Sequence, residues 1–492
     1  MKKAFFIFAT LFVSLAASSQ TLFVNKGNVS YAIPASQAGE MLFSDGSTLT
    51  INGMSYTLGE LTNITVDDSN VSDNTVAVNY GGSSAKVVIS GNLAPYVTAE
   101  VTGAHVKVFA APTLEHQVAY TLSGNSTDGS FYMEGNYGME LKLNNLSLAN
   151  PDSAAINIQN GKLIAITLVD GTTNNLSDGL THVTDNGSDG HNAAFYVDGH
   201  TSWSGNGALT ITGNVKHGFS GDEYVLLTPN LGTITVSHAP SDGFHINQYF
   251  KMQGGTLNIT CAGDGIDVGK KKTDKEDNGK LFIEGGTLTI VTTGNATKAL
   301  KCESDMLVSG GFTTATTTGS AIYDSSESDI SSNAAAKCDG TFTMSNGTMS
   351  LTSTGDGGKG INSTGDVTIS GGNLTVVTTG NVFISGADDT KPQAIKSDGN
   401  IILSGGNILS CASSDSGNPF KTDFSVYTNG ATLMGIGNKA VTPVATSTCK
   451  YKKYSGVKVS GGSTLSYDGV SFSIPAGYNN SNAKVIVSSP SM

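Results

Sequence analysis

A short alternating strand, a Gly-Gly or Asn-Gly turn and a second alternating strand recur along this chain, and that unit limits the fold more than any other feature. Lys251-Met-Gln-Gly-Gly-Thr-Leu-Asn-Ile and Phe282-Ile-Glu-Gly-Gly-Thr-Leu-Thr-Ile are two copies. Val367-Thr-Ile-Ser-Gly-Gly-Asn-Leu-Thr-Val and Ile402-Leu-Ser-Gly-Gly-Asn-Ile-Leu are two more. With the last turn glycine as marker, the copies fall at Gly207, Gly232, Gly255, Gly286, Gly311, Gly347, Gly372, Gly406, Gly430 and Gly462. Successive spacings are 25, 23, 31, 25, 36, 25, 34, 24 and 32 residues. The floor of 23 to 25 is read as one coil, and each excess as a loop inserted at one corner. A period in this range marks a solenoid, whose coils bury their apolar faces only by stacking. Leu257/Ile259, Leu288/Ile290 and Leu374/Val376 are expected to point inward, with Thr and Asn between them pointing out. No LxxLxL signature supports a leucine-rich repeat, and a β-propeller needs a period near ~40–45 residues. The expected fold is all-β: a right-handed parallel β-helix with a small β-rich N-terminal segment or cap.

The expected organisation has five parts. Lys2, Lys3 and the apolar run Ala4 to Ala17 make residues 1–19 a signal peptide and the protein an exported one, periplasmic, surface-bound or secreted. Residues 20–95 form a β-rich module or cap, 96–116 a connector, 117–478 the β-helix and 479–492 a C-terminal tail. No further apolar stretch suggests a transmembrane segment. A net charge of −13 argues against nucleic acid. All 27 basic residues are lysine, so bidentate arginine recognition of carboxylates is absent. Five cysteines without CxxC spacing read as buried small side chains rather than a disulfide framework or a zinc site.

A second strand in each coil carries the candidate site. Its copies read Asp242-Gly-Phe-His-Ile-Asn, Asp264-Gly-Ile-Asp-Val-Gly, Lys298-Ala-Leu-Lys-Cys-Glu, Ser320-Ala-Ile-Tyr-Asp-Ser, Lys359-Gly-Ile-Asn-Ser-Thr, Gln393-Ala-Ile-Lys-Ser-Asp and Asn418-Pro-Phe-Lys-Thr-Asp. The third residue points inward. Stacking at about 4.8 Å then aligns the others into outward ladders. The ligand-binding residues expected on that strip are His245, Lys298, Lys301, Glu303, Tyr323, Lys359, Asn362, Lys396, Asp398, Lys421 and Asp423. Lysines there suit uronate carboxylates as point charges. Asp242, Asp264 and Asp267 on adjacent coils are the expected Ca²⁺ ligands, because stacked unpaired acids would repel one another. The loop Gly269 to Lys280, with Asp274, Glu276 and Asn278, half-resembles a calcium loop, but Gly285 stands where the bidentate acid belongs; a charged solvent-exposed loop is the better reading.

The series Ser241-Asp-Gly-Phe, Gly263-Asp-Gly-Ile-Asp, Lys298-Ala-Leu-Lys and Gln393-Ala-Ile-Lys-Ser-Asp-Gly-Asn-Ile resembles the bacterial carbohydrate-binding β-helix family. So do Tyr120-Thr-Leu-Ser-Gly-Asn-Ser-Thr-Asp-Gly-Ser and Ala165-Ile-Thr-Leu-Val-Asp-Gly-Thr-Thr-Asn-Asn-Leu-Ser-Asp-Gly. The resemblance implies a pectate-lyase-like right-handed β-helix that binds cellulose and acidic plant polysaccharides with calcium. The expected function is therefore non-catalytic binding of an acidic polysaccharide such as polygalacturonate. The alternatives are a calcium-dependent polysaccharide lyase, with Lys301 as base if its pKa is depressed, and an adhesin or surface scaffold. Trp203 is the only tryptophan, so a planar aromatic strip for crystalline cellulose is poorly supported.

Overall fold

The computed structural model describes residues 20–180, 193–272 and 276–492. The expected signal peptide and Asp274 lie outside the described residues. Among them the fold is all-β, with only one four-residue α-helix, Ala35–Ala38. No described helix is long and apolar enough to cross a membrane.

Alternation sets the layout. Each repeat gives two strands to a 27-stranded sheet, one either side of the glycine turn, and a further strand to a 13-stranded sheet. Within the repeat region, each strand pairs in parallel with its equivalent one repeat later. Thr256–Cys261 lies against Thr287–Thr292 in the large sheet, and Phe244–Ile246 against Ile266–Val268 in the smaller one. Because side chains alternate across a strand, this register stacks like on like. Leu209, Ile234, Leu257 and Leu288 are directly paired in one buried row. The smaller sheet contributes Phe195, Phe219, Phe244, Ile266, Leu300, Ala336, Ile361, Ile395 and Phe420, all fully buried. Each large apolar side chain in such a row contributes about 1.5–3 kcal/mol of burial energy, so the rows hold the two sheets together. The pairs expected to point inward, Leu257/Ile259, Leu288/Ile290 and Leu374/Val376, all do.

The turn glycines also stack. Gly286, Gly372 and Gly406 have φ of +81°, +81° and +78°, a region that disfavours residues with a Cβ. A Cβ on each would meet the carbonyl oxygen of the preceding marker glycine at 2.6–2.7 Å. The turn is therefore glycine twice over, for its backbone angle and for its neighbour.

The long spacings hold the inserted segments. Between Gly311 and Gly347 an antiparallel hairpin, Ile322–Asp324 with Asp329–Ser331, leaves the smaller sheet. Between Gly372 and Gly406 a second, Phe383–Ser385 with Asp388–Thr390, stands beside it, with Ser332 Oγ 3.3 Å from Thr390 Oγ1. Gly255 to Gly286 encloses the loop at 269–280. The last marker, Gly462, lies in a different structure. There Tyr451–Val459 and Asn480–Ser488 run antiparallel to each other, the latter also to Thr432–Gly437. They cover the end of the large sheet with a separate cluster around Val457, Ile474 and Tyr478. At the other end, parallel register is already present between Thr75–Gly81 and Val118–Ser126. Residues 21–58 form an antiparallel module with its own small core of Leu22, Val24, Ile33, Leu49 and Ile51. Four cysteines are buried, all five are free thiols and Cys449 is half-buried.

Candidate functional site

The outward column of the smaller sheet reads, rung by rung, Tyr196, Ser220, His245, Asp267, Lys301, Lys337, Asn362, Lys396 and Lys421. Tyr196 and Ser220 are buried and the other seven are half-buried, and the backbone register alone brings them into line. Tyr323, expected in this column, is not there. Its segment is diverted into the first hairpin, and Ala334-Ala-Ala-Lys-Cys takes the rung instead, placing Lys337 against Lys301 and Asn362. Lys359 was expected on the exposed strip but is only 3% exposed. Its Nζ donates to Gly357 O, Thr390 Oγ1 and Lys391 O at 2.7–2.8 Å, fastening the second hairpin to the sheet. Burial, with Lys396 adding like charge, pulls the Lys359 ammonium down to about 7.

The hairpins wall a cleft of about 500 Å³ over the downstream rungs. Lys298, Lys337, Asn362 and Lys396 line it on the sheet side; Asp324, Asp329 and Asp389 line it on the hairpin side. Lys298 Nζ reaches the first hairpin at Ser331 Oγ, 3.2 Å. Lys396 donates to Asp398 two residues along its strand at 2.6 Å, and Lys337–Asp339 and Lys421–Asp423 repeat that pairing. These are partly exposed pairs of small net strength, so an incoming carboxylate can compete for the lysines.

Upstream the same column is organised differently. Asp242 Oδ2 lies 3.2 Å from His217 Nδ1 and 3.1 Å from His245 Nδ1. Asp267 Oδ2 lies 3.4 Å from His245 Nδ1. Lys301 Nζ bridges Asp264 and Asp267 at 3.2 and 3.1 Å. Burial works against the charge on Asp242, yet the two imidazoles hold its carboxyl below the usual carboxylate range. Asp242 and then Asp267 lift His245 to about 9. Burial alone would lower Lys301, but Asp264 and Asp267 outweigh it and hold the ammonium above the ordinary lysine range. A lysine so held keeps its proton and does not serve as a base.

Asp242, Asp264 and Asp267 do converge, as expected, but they are not unpaired. Calcium takes roughly six to eight oxygen ligands. Here protein cations and imidazole nitrogens face the three carboxylates, so the donor set does not suit calcium. The loop at 269–280 is closed on itself: Asn278 accepts from Lys271 N at 2.9 Å and donates to Lys271 O at 2.7 Å, while Lys271 Nζ reaches Asp222 at 2.7 Å. Glu303 accepts from the backbone N–H of Lys270 at 3.0 Å, anchoring that loop rather than standing free on the strip.

Two residues escaped the sequence reading, His217 and Lys337. Both had a readable signal. His217-Gly-Phe-Ser matches Asp242-Gly-Phe-His, and Ala334-Ala-Ala-Lys-Cys matches Lys298-Ala-Leu-Lys-Cys.

No curated protein matches the chain. One solved structure, a polysaccharide lyase-like protein from C. thermocellum in a gadolinium derivative, aligns with a TM-score of 0.41 at 22% identity, covering 61% of this chain and all of that one. The family model of carbohydrate-binding domain-containing proteins matches residues 102–382, the stretch that contains the outward column from Tyr196 to Asn362 and the first hairpin, Ile322–Asp324 with Asp329–Ser331. That match takes in more than half of the 492 residues, and the chain belongs to the carbohydrate-binding domain-containing protein family.

Proposed function

We propose that the chain winds as a right-handed parallel β-helix and binds an acidic polysaccharide along the outward column of its smaller sheet, seated in the cleft lined by Lys298, Lys337, Asn362 and Lys396. Parallel register at every repeat supports the winding. The observation that carries the binding site is the cleft itself, where two hairpins wall Lys337 and Lys396, each paired with a partly exposed aspartate. Uronate carboxylates would replace Asp339 and Asp398 as the partners of Lys337 and Lys396. Rungs at about 4.8 Å give a sugar chain lying along the column repeated, near-equivalent contacts. The protein would act outside the cytoplasm after loss of residues 1–19, as the apolar N-terminal run supports. Binding rather than cleavage is the reading favoured here, because the lysine nearest the acids, Lys301, is held protonated.

The test is calorimetric titration of the chain lacking residues 1–19 with polygalacturonate and, separately, with a neutral glucan, while absorbance of an unsaturated product is followed. Saturable heat with polygalacturonate, weakened by salt, with flat absorbance supports the proposal. Rising absorbance replaces it with a lyase, and absence of heat with polygalacturonate refutes it.

A further inference from the structure

The upstream end of the column holds an arrangement that polysaccharide binding does not use. His217 Nδ1, Asp242 Oδ2 and His245 Nδ1 come from adjacent rungs, and the three atoms lie within 4.8 Å of one another. The two imidazoles stack at 4.6 Å between centroids and 19° between planes, and each has Nδ1 within 3.2 Å of the same carboxylate oxygen. His217 and Asp242 are buried and His245 is half-buried.

Two hydrogen bonds compete for His217 Nδ1 in this cluster. The backbone N–H of Asp242 points at His217 Nδ1 from 3.3 Å. Nδ1 accepts that bond only if it keeps its lone pair, and it then faces the lone pairs of Asp242 Oδ2 at 3.2 Å. If Nδ1 carries the proton instead, it meets the Asp242 N–H head on. A cation between the three atoms would satisfy the facing lone pairs of Nδ1 and Oδ2, at the expense of the Asp242 N–H bond. The N–H bond it weakens is long beside the usual ~2.9–3.0 Å.

We propose that His217 Nδ1, Asp242 Oδ2 and His245 Nδ1 form a site for a divalent transition metal such as Zn²⁺, with Asp267 on its open side. Metal–nitrogen and metal–oxygen bonds of about 2.0–2.2 Å in tetrahedral geometry imply ligand–ligand edges of about 3.4 Å. The two edges that meet at Asp242 Oδ2 are 3.2 and 3.1 Å, and Asp267 Oδ2 is 3.4 Å from His245 Nδ1. Two imidazoles and one carboxylate select borderline metals over calcium. Lys301 Nζ, 3.1 Å from Asp267 Oδ1, orients that carboxylate from behind. Three protein ligands and an open position leave room for water or for a hydroxyl of the bound glycan.

The probe is Zn²⁺ alone, titrated calorimetrically into metal-stripped protein lacking residues 1–19. One ion per chain is expected, with affinity unaffected by excess Ca²⁺ and weakened by about tenfold or more in H245Q. His105, half-buried and far along the sheet, supplies the control: H105Q is expected to bind as the parent does. Equal affinity in H245Q and the parent, or ready displacement by Ca²⁺, overturns the proposal. Because H245Q can disturb folding, its circular dichroism is compared with the parent's. Co²⁺ added to the unaltered protein gives an independent reading. Visible d–d bands with the intensity of a four-coordinate nitrogen–oxygen site support it, and their absence at saturation overturns it. Polygalacturonate binding by the downstream cleft is measured on H245Q as well, so the two sites fail or stand separately.

Discussion

The upstream and downstream halves of the outward column share one backbone register but handle charge in opposite ways. From His217 to Lys301 the ionisable groups are buried or half-buried and neutralise one another between rungs: imidazole to Asp242, Asp267 to both His245 and Lys301. From Lys337 to Lys421 each lysine pairs within its own strand, to an aspartate two residues on that stays exposed. A group taken out of water must keep its partner, whereas an exposed pair exchanges its partner at little cost. The buried half is therefore suited to holding a fixed structure or an ion, and the open half to receiving a ligand.

Removing one aspartate from each half breaks the comparison most sharply. Asp242→Ala leaves His217 and the N–H of Asp264 without their acceptor and His245 with Asp267 alone. It is expected to destabilise the protein by about 3 kcal/mol, the low end for a broken buried pair because imidazoles can shed protons. Asp398→Ala, in the open half, is expected to cost less than about 1 kcal/mol. Denaturant unfolding measures both, and equal losses would erase the distinction between the halves.

A smaller effect tests the exception. Lys359 is a buried lysine in the open half, lowered to about 7. Between that value and the ordinary lysine pKa of about 10.4 the unfolded chain binds the extra proton and the folded one does not. Raising the pH through this window therefore favours the folded state. Lys359→Met is expected to flatten that rise. Thermal melts of parent and variant across the window check it, and parallel pH profiles would show that the ammonium stays charged when buried. The smallest effect concerns the hairpin that Lys359 holds. Thr390→Val removes one of its three acceptors, and a loss of about 1 kcal/mol is expected.

Much of this was legible in the sequence, for reasons that differ by residue. Period-2 alternation and turn glycines placed Leu257, Ile259, Leu288 and Ile290 inside because one repeat unit dictates its neighbour's register. The long spacings after Gly255, Gly311 and Gly372 announced inserted loops, and the last two prove to be hairpins. What spacing could not give was which segment stays in the sheet. Ser320-Ala-Ile-Tyr fits the strand pattern, yet Ala334–Cys338 occupies the rung, with Ala336 in the core row against Leu300. Nor could it show that Lys359 turns under a hairpin, because its acceptors Thr390 and Lys391 lie some thirty residues away. The acids at 242, 264 and 267 were found together. Of their partners, His245 and Lys301 stood on the expected strip, and His217 was missed because it sits one rung beyond the first copy of the pattern.

Lysine footprinting is the most direct test that the open half carries the glycan. The protein lacking residues 1–19 is acetylated with and without polygalacturonate, and modification is read by mass spectrometry. The account predicts protection of Lys337, Lys396 and Lys421, with Lys452 and Lys453 at the covered end of the large sheet unchanged. Protection confined to Lys452 and Lys453, or spread evenly over all exposed lysines, would contradict it.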